Sequence, residues 1–416
     1  MIESGAMFFV SADTTQDTPD KAADDLLRQI EQKAGGTPHY HAVFIFISTQ
    51  FTEEIETITE RLTARLQPDI LLGCSAEGVI GSDKEIESVP AISVVAAHLP
   101  GVEITPFALQ PGSSDWHQML LDADKFCQVV DLPADTRLVV LLSDQFSTPI
   151  DDVLFSFNSC YPGIPVVGGM SSGALRVHGN ALLVNKTVTR EGAVGVAFSG
   201  ALSVDVIVSQ GCRPIWRPFR VEAARRNEIY SLEGRAPLAW IQDLIPTLPE
   251  EDRALLQNGI FVGRAIQHRD REEAPGAAAE PLGRGDFLIS GLVGIDQENG
   301  AIAISDSVME GETIQFHLRD ALTAQEDLEM MLIPQMFRPP AGGGLLFACN
   351  GRGRRLYDYP NGDISIIQQN FEHLNLAGFF CAGEIGPVGG QNFLHGHSLS
   401  LAIFRPLGED KSASAL

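Results

Sequence analysis

Three stretches of the chain carry the same order of apolar runs, polar turns and glycines. Residues 42–51 form a β-rich apolar run that closes on Ser48-Thr49-Gln50-Phe51. Residues 138–146 repeat it down to Ser143-Asp144-Gln145-Phe146, 95 positions later. Leu71-Leu72-Gly73-Cys74-Ser75-Ala76-Glu77-Gly78 is answered, again 95 positions on, by Val166-Val167-Gly168-Gly169-Met170-Ser171-Ser172-Gly173. A third run, 91–97, corresponds to 192–198 at a spacing of 101, which one loop insertion explains. A weaker third copy closes the chain, with runs at 344–350, 379–386 and 397–404. Matched elements in matched order point to internal duplication rather than to chance likeness of strands.

Each copy reads strand, helix, strand, Gly-rich turn, strand. The 3.6-residue period predicts helices over 52–66 (Ile55, Ile58, Leu62 and Leu66 on one face), 151–159 (Val153, Leu154, Phe157) and 362–375 (Ile366, Ile367, Phe371, Leu374). A strand–helix–strand crossover of about thirty residues makes a parallel pair. The third strand, after a long loop, is free to run antiparallel. The stretch 209–340 has a different pattern. Polar–apolar alternation over 211–234 predicts exposed hairpin strands, 236–248 a helix, and 287–304 a hairpin about Glu298-Asn299-Gly300. Residues 319–336 predict a helix carrying Met330, Met331 and Met336. The polar stretch 268–285 is expected to be a mobile loop. The expected fold class is α/β, with the repeated units forming mixed sheets.

Composition narrows the function. With 44% apolar and 20% charged residues the chain can bury a full core. Forty glycines cluster near the apolar runs, as tight strand-end turns require. A net charge of −25 argues against nucleic acid or an anionic membrane as the main partner. The six cysteines form no C-x-x-C pair, so neither a zinc ribbon nor a disulfide framework is signalled, and reduced thiols are expected. No leader pattern stands at the N-terminus and no apolar run is long enough for a membrane span, so a cytoplasmic location is expected, without membrane insertion.

Gly383-Glu384-Ile385-Gly386-Pro387-Val388-Gly389-Gly390, followed by Phe393-Leu394-His395-Gly396-His397-Ser398-Leu399-Ser400-Leu401, resembles the C-terminal signature of FIST domains (F-box and intracellular signal transduction). Residues 72–78 and Gln210-Gly211-Cys212-Arg213-Pro214 are similar to the N-terminal half of that family, and Cys349-Asn350-Gly351-Arg352-Gly353 to its C-terminal half. The resemblance covers residues 40 to 405. It implies two FIST halves: an N-terminal domain over 1–235, holding the copies at 40–105 and 135–208 and the hairpin region from 209, and a C-terminal domain over 236–405, holding the copy at 344–404. Residues 406–416 are expected to be a disordered tail. The family implies an intracellular ligand-sensing module. A subset are haem proteins that sense nitric oxide and control a histidine kinase. No room remains for an F-box, kinase or methyl-accepting domain, so a stand-alone protein signalling in trans is expected.

Several residues compete for the site. The outer glycines of 73–78 and 168–173 imitate a P-loop, but the Lys and Ser/Thr that would hold phosphate and Mg²⁺ are missing, which excludes nucleotide hydrolysis. Those glycines either permit tight turns or bare backbone N–H groups to a ligand beyond the strand ends. His395 and His397 share one face of an extended segment, as do His39 and His41. Each pair is structural or, following the resemblance, supplies a haem ligand. Neither spacing nominates the third ligand a zinc site needs. Cys349 lacks a local base for nucleophilic work, and Arg352 offers a planar fork for a carboxylate or is a surface arginine of a turn. Glu384, placed like Glu77 in the first copy, binds an amine or caps backbone N–H groups.

Small residues at the strand ends (Ser75, Ser171, Ser172, Cys349, Asn350, Gly383) leave space for a ligand. With Arg352, Glu384, His395 and His397 they define an expected pocket bounded by 349–352 and 383–397, suited to a zwitterion such as an amino acid. The leading expectation is a sensory module that binds a small molecule, needs no cofactor and signals to a protein partner. A haem-dependent gas sensor is the alternative, and an enzyme of unknown chemistry the third reading.

Overall fold

In the computed structural model the described residues are 6–36, 38–111, 116–266, 282, 283, 285–371 and 373–407. The chain opens with β1 (Phe8–Thr14) and α1 (Pro19–Ala34). The first copy follows as β2 (Ala42–Ser48), α2 (Ile55–Leu66), β3 (Ile70–Ala76), β4 (Gly78–Ile80), β5 (Glu85–Glu87) and β6 (Ile92–His98), then β7 (Val102–Leu109). After α3 (Trp116–Leu121) and α4 (Ala123–Val129), the second copy is β8 (Thr136–Asp144), α5 (Ile150–Cys160), β9 (Val166–Ser171), β10 (Leu182–Val184), β11 (Thr187–Thr189) and β12 (Ala193–Gly200), then β13 (Leu202–Gln210). The intervening region holds β14 (Cys212–Pro214), β15 (Phe219–Arg225), β16 (Glu228–Leu232), α6 (Pro237–Leu244), α7 (Glu250–Leu255), β17 (Phe261–Ala265), β18 (Phe287–Ile295), β19 (Ile302–Ile304), β20 (Thr313–Arg319) and α8 (Ala321–Leu332). The third copy is β21 (Gly343–Cys349), α9 (Gly362–Phe371), β22 (Leu376–Cys381), β23 (Glu384–Val388), β24 (Gln391–His395) and β25 (Ser398–Pro406).

Contacts divide the chain into two compact units. One holds Met1–Val208, Glu329–Leu394 and Leu399–Leu416; the other holds Ser209–Leu328 and His395–Ser398. All three copies fall in the first unit, apart from residues 395–398 of the third.

In the first unit each copy builds the centre of a six-stranded sheet, and the copies exchange their edges in a cycle. The hairpin β10–β11 of the second copy extends β3 of the first, β23–β24 of the third extends β9 of the second, and β4–β5 of the first extends β22 of the third. The opposite edges cycle too: β7 joins the second sheet, β13 the third and β1 the first. Within each copy the crossover pairs are parallel (β2 with β3, β8 with β9, β21 with β22), and the last strand is antiparallel to the first. What reads in the sequence as a long loop before the last strand is therefore a hairpin given to another copy.

Side-chain alternation explains how the sheets are buried on both faces. Phe44 and Phe46 of β2, Val140 and Leu142 of β8, and Leu345 and Phe347 of β21 meet in one shared core. The alternate residues Val43, Ile45 and Ile47 pack outward against Leu26 and Ile30 of α1 and Ile58 and Leu62 of α2. Val139 and Leu141 pack likewise against Phe126 of α4 and Val153 and Phe157 of α5. The equivalence reaches single residues. Gly73, Gly168 and Gly378 face Ile45, Leu141 and Leu346 on the neighbouring parallel strand, and a Cβ at any of the three would run into that residue's carbonyl oxygen.

The second unit is an antiparallel sheet in the order β14-β20-β15-β16-β19-β18-β17, closed by a further β17–β20 pairing. Its core gathers Phe219, Ile229, Leu244, Ile302 and Phe316. The predicted exposed hairpins are thus strands of a closed ring, which removes their open edges.

The segment before residue 40 carries β1 and α1, as β7, α3 and α4 stand ahead of the second copy. Two expectations change. Cys127 and Cys160 form a disulfide, with their Cα atoms 6.1 Å apart, because α4 packs on α5; the expectation of wholly reduced thiols fails at this pair. The predicted helix at 319–336 ends at Leu332 and continues as a tighter turn over Ile333–Phe337. The predicted mobile loop at 268–285 lies, apart from 282, 283 and 285, outside the described residues, as does the tail from 408.

Candidate functional site

The small residues at the strand ends do come together, but around each other. Ser75 and Ser171 approach to 3.3 Å through their hydroxyls, Ser171 donates to the Ser75 carbonyl, and the Ser75 hydroxyl accepts the Ala181 N–H at 2.8 Å. The Ser172 hydroxyl donates to the Phe380 carbonyl and accepts the Glu77 N–H at 2.9 Å. The Met170 N–H donates to the Gly383 carbonyl at 2.8 Å, and the Asn350 N–H to that of Cys381 at 2.8 Å. Ser75, Ser171, Ser172, Cys349 and Glu384 are buried. A Cβ on Gly383 would lie 2.6 Å from Met170 Cε. The space expected for a ligand is filled by the exchanged hairpins, so these residues form the seam between copies.

Arg352 is also engaged. It is 1% exposed, and its Nε and Nη2 donate to the two Asp363 oxygens at 2.7 and 2.6 Å. The Tyr357 hydroxyl donates to Asp363 at 2.7 Å. The fork read as a carboxylate receptor is thus satisfied by a carboxylate of its own chain, which corrects the expected zwitterion pair with Glu384. Beside it, Glu85 of the exchanged hairpin accepts the Asp363 and Ile364 N–H groups at the start of α9, both at 3.0 Å. Burial first, then the Asp363 charge, push Glu85 up to about 8. The arginines of this turn that are exposed are Arg354 and Arg355, and Arg355 donates to Glu77 at 3.0 Å and to the Asn350 carbonyl at 2.8 Å. His395 and His397 belong to the second unit; His397 has φ +58° and packs edge-on against Phe261 at 4.4 Å between ring centres.

A cavity of about 670 Å³ opens elsewhere in the first unit. It lies among β1, α1, the β4–β5 turn, α9 and residues 373–375. Lys33, Lys84, Asp13 and Asp83 line it, with the amides of Gln368 and Asn375 and with His373. Lys84 Nζ sits 2.6 Å from Asp13 Oδ2, and Lys33 donates to the Ser11 carbonyl at 2.7 Å. Ser11 donates to Asn375 Oδ1 at 3.1 Å, and the Leu376 N–H donates to the Ser82 hydroxyl at 3.0 Å. Burial holds Asp13 above the usual carboxylate range, against the pull of Lys84. None of these residues was singled out in the sequence. They come from segments hundreds of positions apart, and no local motif joins them.

At the opposite end of β2, His39 Nε2 is 2.8 Å from Asp69 Oδ2, and the His39 and His98 rings each lie edge-on to His41, at 4.7 and 5.0 Å. Burial, then the neighbouring His39 and His98, hold His41 below the ordinary histidine range. The adjoining cavity measures about 290 Å³ and is lined by Glu31, Tyr40, Arg65 and Gln67. A haem needs a wider slot with mostly apolar walls, so the surroundings of His39 and His41 do not fit it. Among the described residues no helix is long and apolar enough to cross a membrane.

Comparison with known proteins places these features. Residues 41–235 match the family model described as FIST N domain, and residues 237–387 the one described as FIST C domain. An uncharacterized protein of Mycobacterium tuberculosis is 36% identical over 400 residues, covering 95% of this chain and 98% of that one. An uncharacterized protein of Mycobacterium bovis is 34% identical, covering 94% and 97%. An F-box/LRR-repeat protein of Arabidopsis thaliana is 23% identical, covering 80% of this chain and 72% of its own. A cyanuric acid hydrolase structure from A. caulinodans covers 97% of the chain at 7% identity and a TM-score of 0.36, a likeness too distant to bear on fold or chemistry.

Proposed function

The chain belongs to the FIST family, whose domains mark signal-transduction sensory modules, and on that premise we propose that it senses a small zwitterionic metabolite, an amino acid or a close relative, in the cavity between α1 and α9. The observation that carries this reading is the cavity's balance of charge. Two ammonium groups, Lys33 and Lys84, and two carboxylates, Asp13 and Asp83, line one volume of about 670 Å³. That volume lies within the range of small-molecule sites, roughly 300–1,000 Å³. Carboxylate and amine ends of one ligand would each find an opposite charge, and the amides of Gln368 and Asn375 can fix its orientation. Because α9 also carries Asp363, whose amide and carboxylate tie it to Glu85 and Arg352, a ligand against Gln368 bears on the seam between copies.

The signal passes to a protein partner. Met330, Ile333, Met336 and Phe337 stay exposed, Phe337 at 85%, where a soluble surface rarely clusters large apolar side chains. With a net charge of −25 on the chain, the fitting partner is apolar at its centre and basic at its rim. The test is calorimetry of the full chain against a panel of free amino acids and related zwitterions. At least one should bind with a stoichiometry of one, and Lys33→Ala should weaken it roughly tenfold to a hundredfold, the scale of one charge-assisted hydrogen bond. A panel without a binder, or affinity unchanged in Lys33→Ala, would refute the reading.

A further inference from the structure

The strand register gathers a second group of side chains, independent of the cavity. In β2 and β3, which run parallel, Ala42 pairs with Ile70; in β2 and β6, which run antiparallel, Ala42 pairs with Ala97. The residues just before β2, those just before β3 and the last residue of β6 therefore share one end of the sheet. They are His39 and His41, Asp69, and His98. Tyr40, between the two histidines, is 3% exposed, so the alternation of an extended segment turns both imidazoles to the other side.

We propose that His39, His41 and Asp69 form a binding site for one divalent transition-metal ion of the zinc, cobalt or nickel kind. Their ligand atoms already lie within 4.8 Å of one another. A tetrahedral ion with bonds of about 2.1 Å needs its ligands about 3.4 Å apart, so the side chains must draw in by little more than an ångström. His39 and Asp69 are free to do so, each side chain being 54% exposed. Two imidazoles and one carboxylate are the donor set such ions prefer, and three protein ligands leave a fourth position for water. His98 supports the group from beside it, its Nδ1 lying 2.7 Å from the His39 carbonyl and able to donate to it. Such contacts hold the ligand-bearing backbone in place.

One bond must be exchanged. The Leu99 N–H donates to His41 Nδ1 at 2.9 Å. A neutral ring that accepts at Nδ1 carries its proton on Nε2. Whichever nitrogen turns to the ion, the Leu99 hydrogen bond is given up and a coordinate bond replaces it. The Leu99 amide thus reports occupancy, separately from any effect on the α1–α9 cavity.

The experiment is a titration of the full chain with zinc chloride by calorimetry, and with cobalt(II) followed by its visible absorption. The expected result is one ion per chain at micromolar affinity or tighter, with the intense visible bands of a four-coordinate cobalt site. His39→Ala and Asp69→Ala should each weaken binding by at least about tenfold, while His178→Ala, an exposed histidine outside the group, leaves it unchanged. The Leu99 amide resonance should move on zinc addition. Absence of stoichiometric binding, or binding that both His39→Ala and Asp69→Ala leave intact, overturns the proposal. Thermal melts of the metal-free variants, expected to match the parent, keep a folding defect from passing as lost affinity.

Discussion

Glu85 makes the stability of the first unit depend on pH in an unusual direction. The residue is 8% exposed and its Oε1 accepts two amides of α9, while burial and Asp363 push its pKa from 4.5 up to about 8. Below about 4.5 the folded and unfolded chains both hold the proton. Above it the unfolded chain releases the proton and the folded one keeps it, so this group's contribution falls as pH rises and levels off only past about 8. Each pH unit in that window is worth about 1.4 kcal/mol, which amounts to about 3 kcal/mol between pH 5 and pH 7. Glu85→Gln keeps an oxygen for the two α9 amides and cannot ionise. Urea unfolding of parent and variant across about pH 5 to 8 isolates the effect, because titrating groups that do not interact with Glu85 cancel in the difference. The variant should gain on the parent by about 3 kcal/mol over those two units. A difference that stays flat with pH, or that grows in the parent's favour, would refute the reasoning.

Two further predictions concern the seam. Asp363→Ala strands the Arg352 guanidinium, 1% exposed, without its carboxylate, and should cost about 3–5 kcal/mol in urea unfolding. Loss of the exposed Arg355–Glu77 pair in Arg355→Ala should cost no more than about 1 kcal/mol. Gly73→Ala, Gly168→Ala and Gly378→Ala should each destabilise by about 1–3 kcal/mol in thermal or urea melts, since each Cβ meets the carbonyl of the paired strand; tolerance at one of the three would break the equivalence of the copies.

The glycine triplet shows how far the pattern could be followed. Gly73 and Gly168 are visible as equivalents in the sequence because they sit in matched runs, 95 positions apart. Gly378 escapes notice, since the third copy has diverged around it and only its pairing with Leu346 reveals the match. The site residues fared differently. Ser75, Ser171, Ser172 and Gly383 were singled out because small residues at strand ends suggest room, and they do converge. The room is taken by the hairpins, and nothing local tells a residue that makes space for a ligand from one that makes space for another strand. Arg352 was legible as a fork but not as one already filled, because its partner Asp363 lies eleven positions on, beyond a turn.

The local elements and their repetition are legible in the order of residues. Apolar alternation, helical period and turn chemistry act over a few residues, so the three strand–helix–strand crossovers, the Glu298–Gly300 hairpin and the family signatures could all be read directly. The assembled fold alone reveals which copy receives each hairpin, that Ser11, Lys33, Lys84 and Asn375 share a cavity, and that His39, His41 and Asp69 stand at one sheet end. Those outcomes depend on edge pairing between segments far apart in the chain. Backbone hydrogen bonds at a sheet edge carry almost no side-chain identity. A hairpin can satisfy any exposed edge of matching register, and the choice is made by packing around the shared core of Phe46, Phe347 and Phe379, a property of the assembled unit and not of any one stretch.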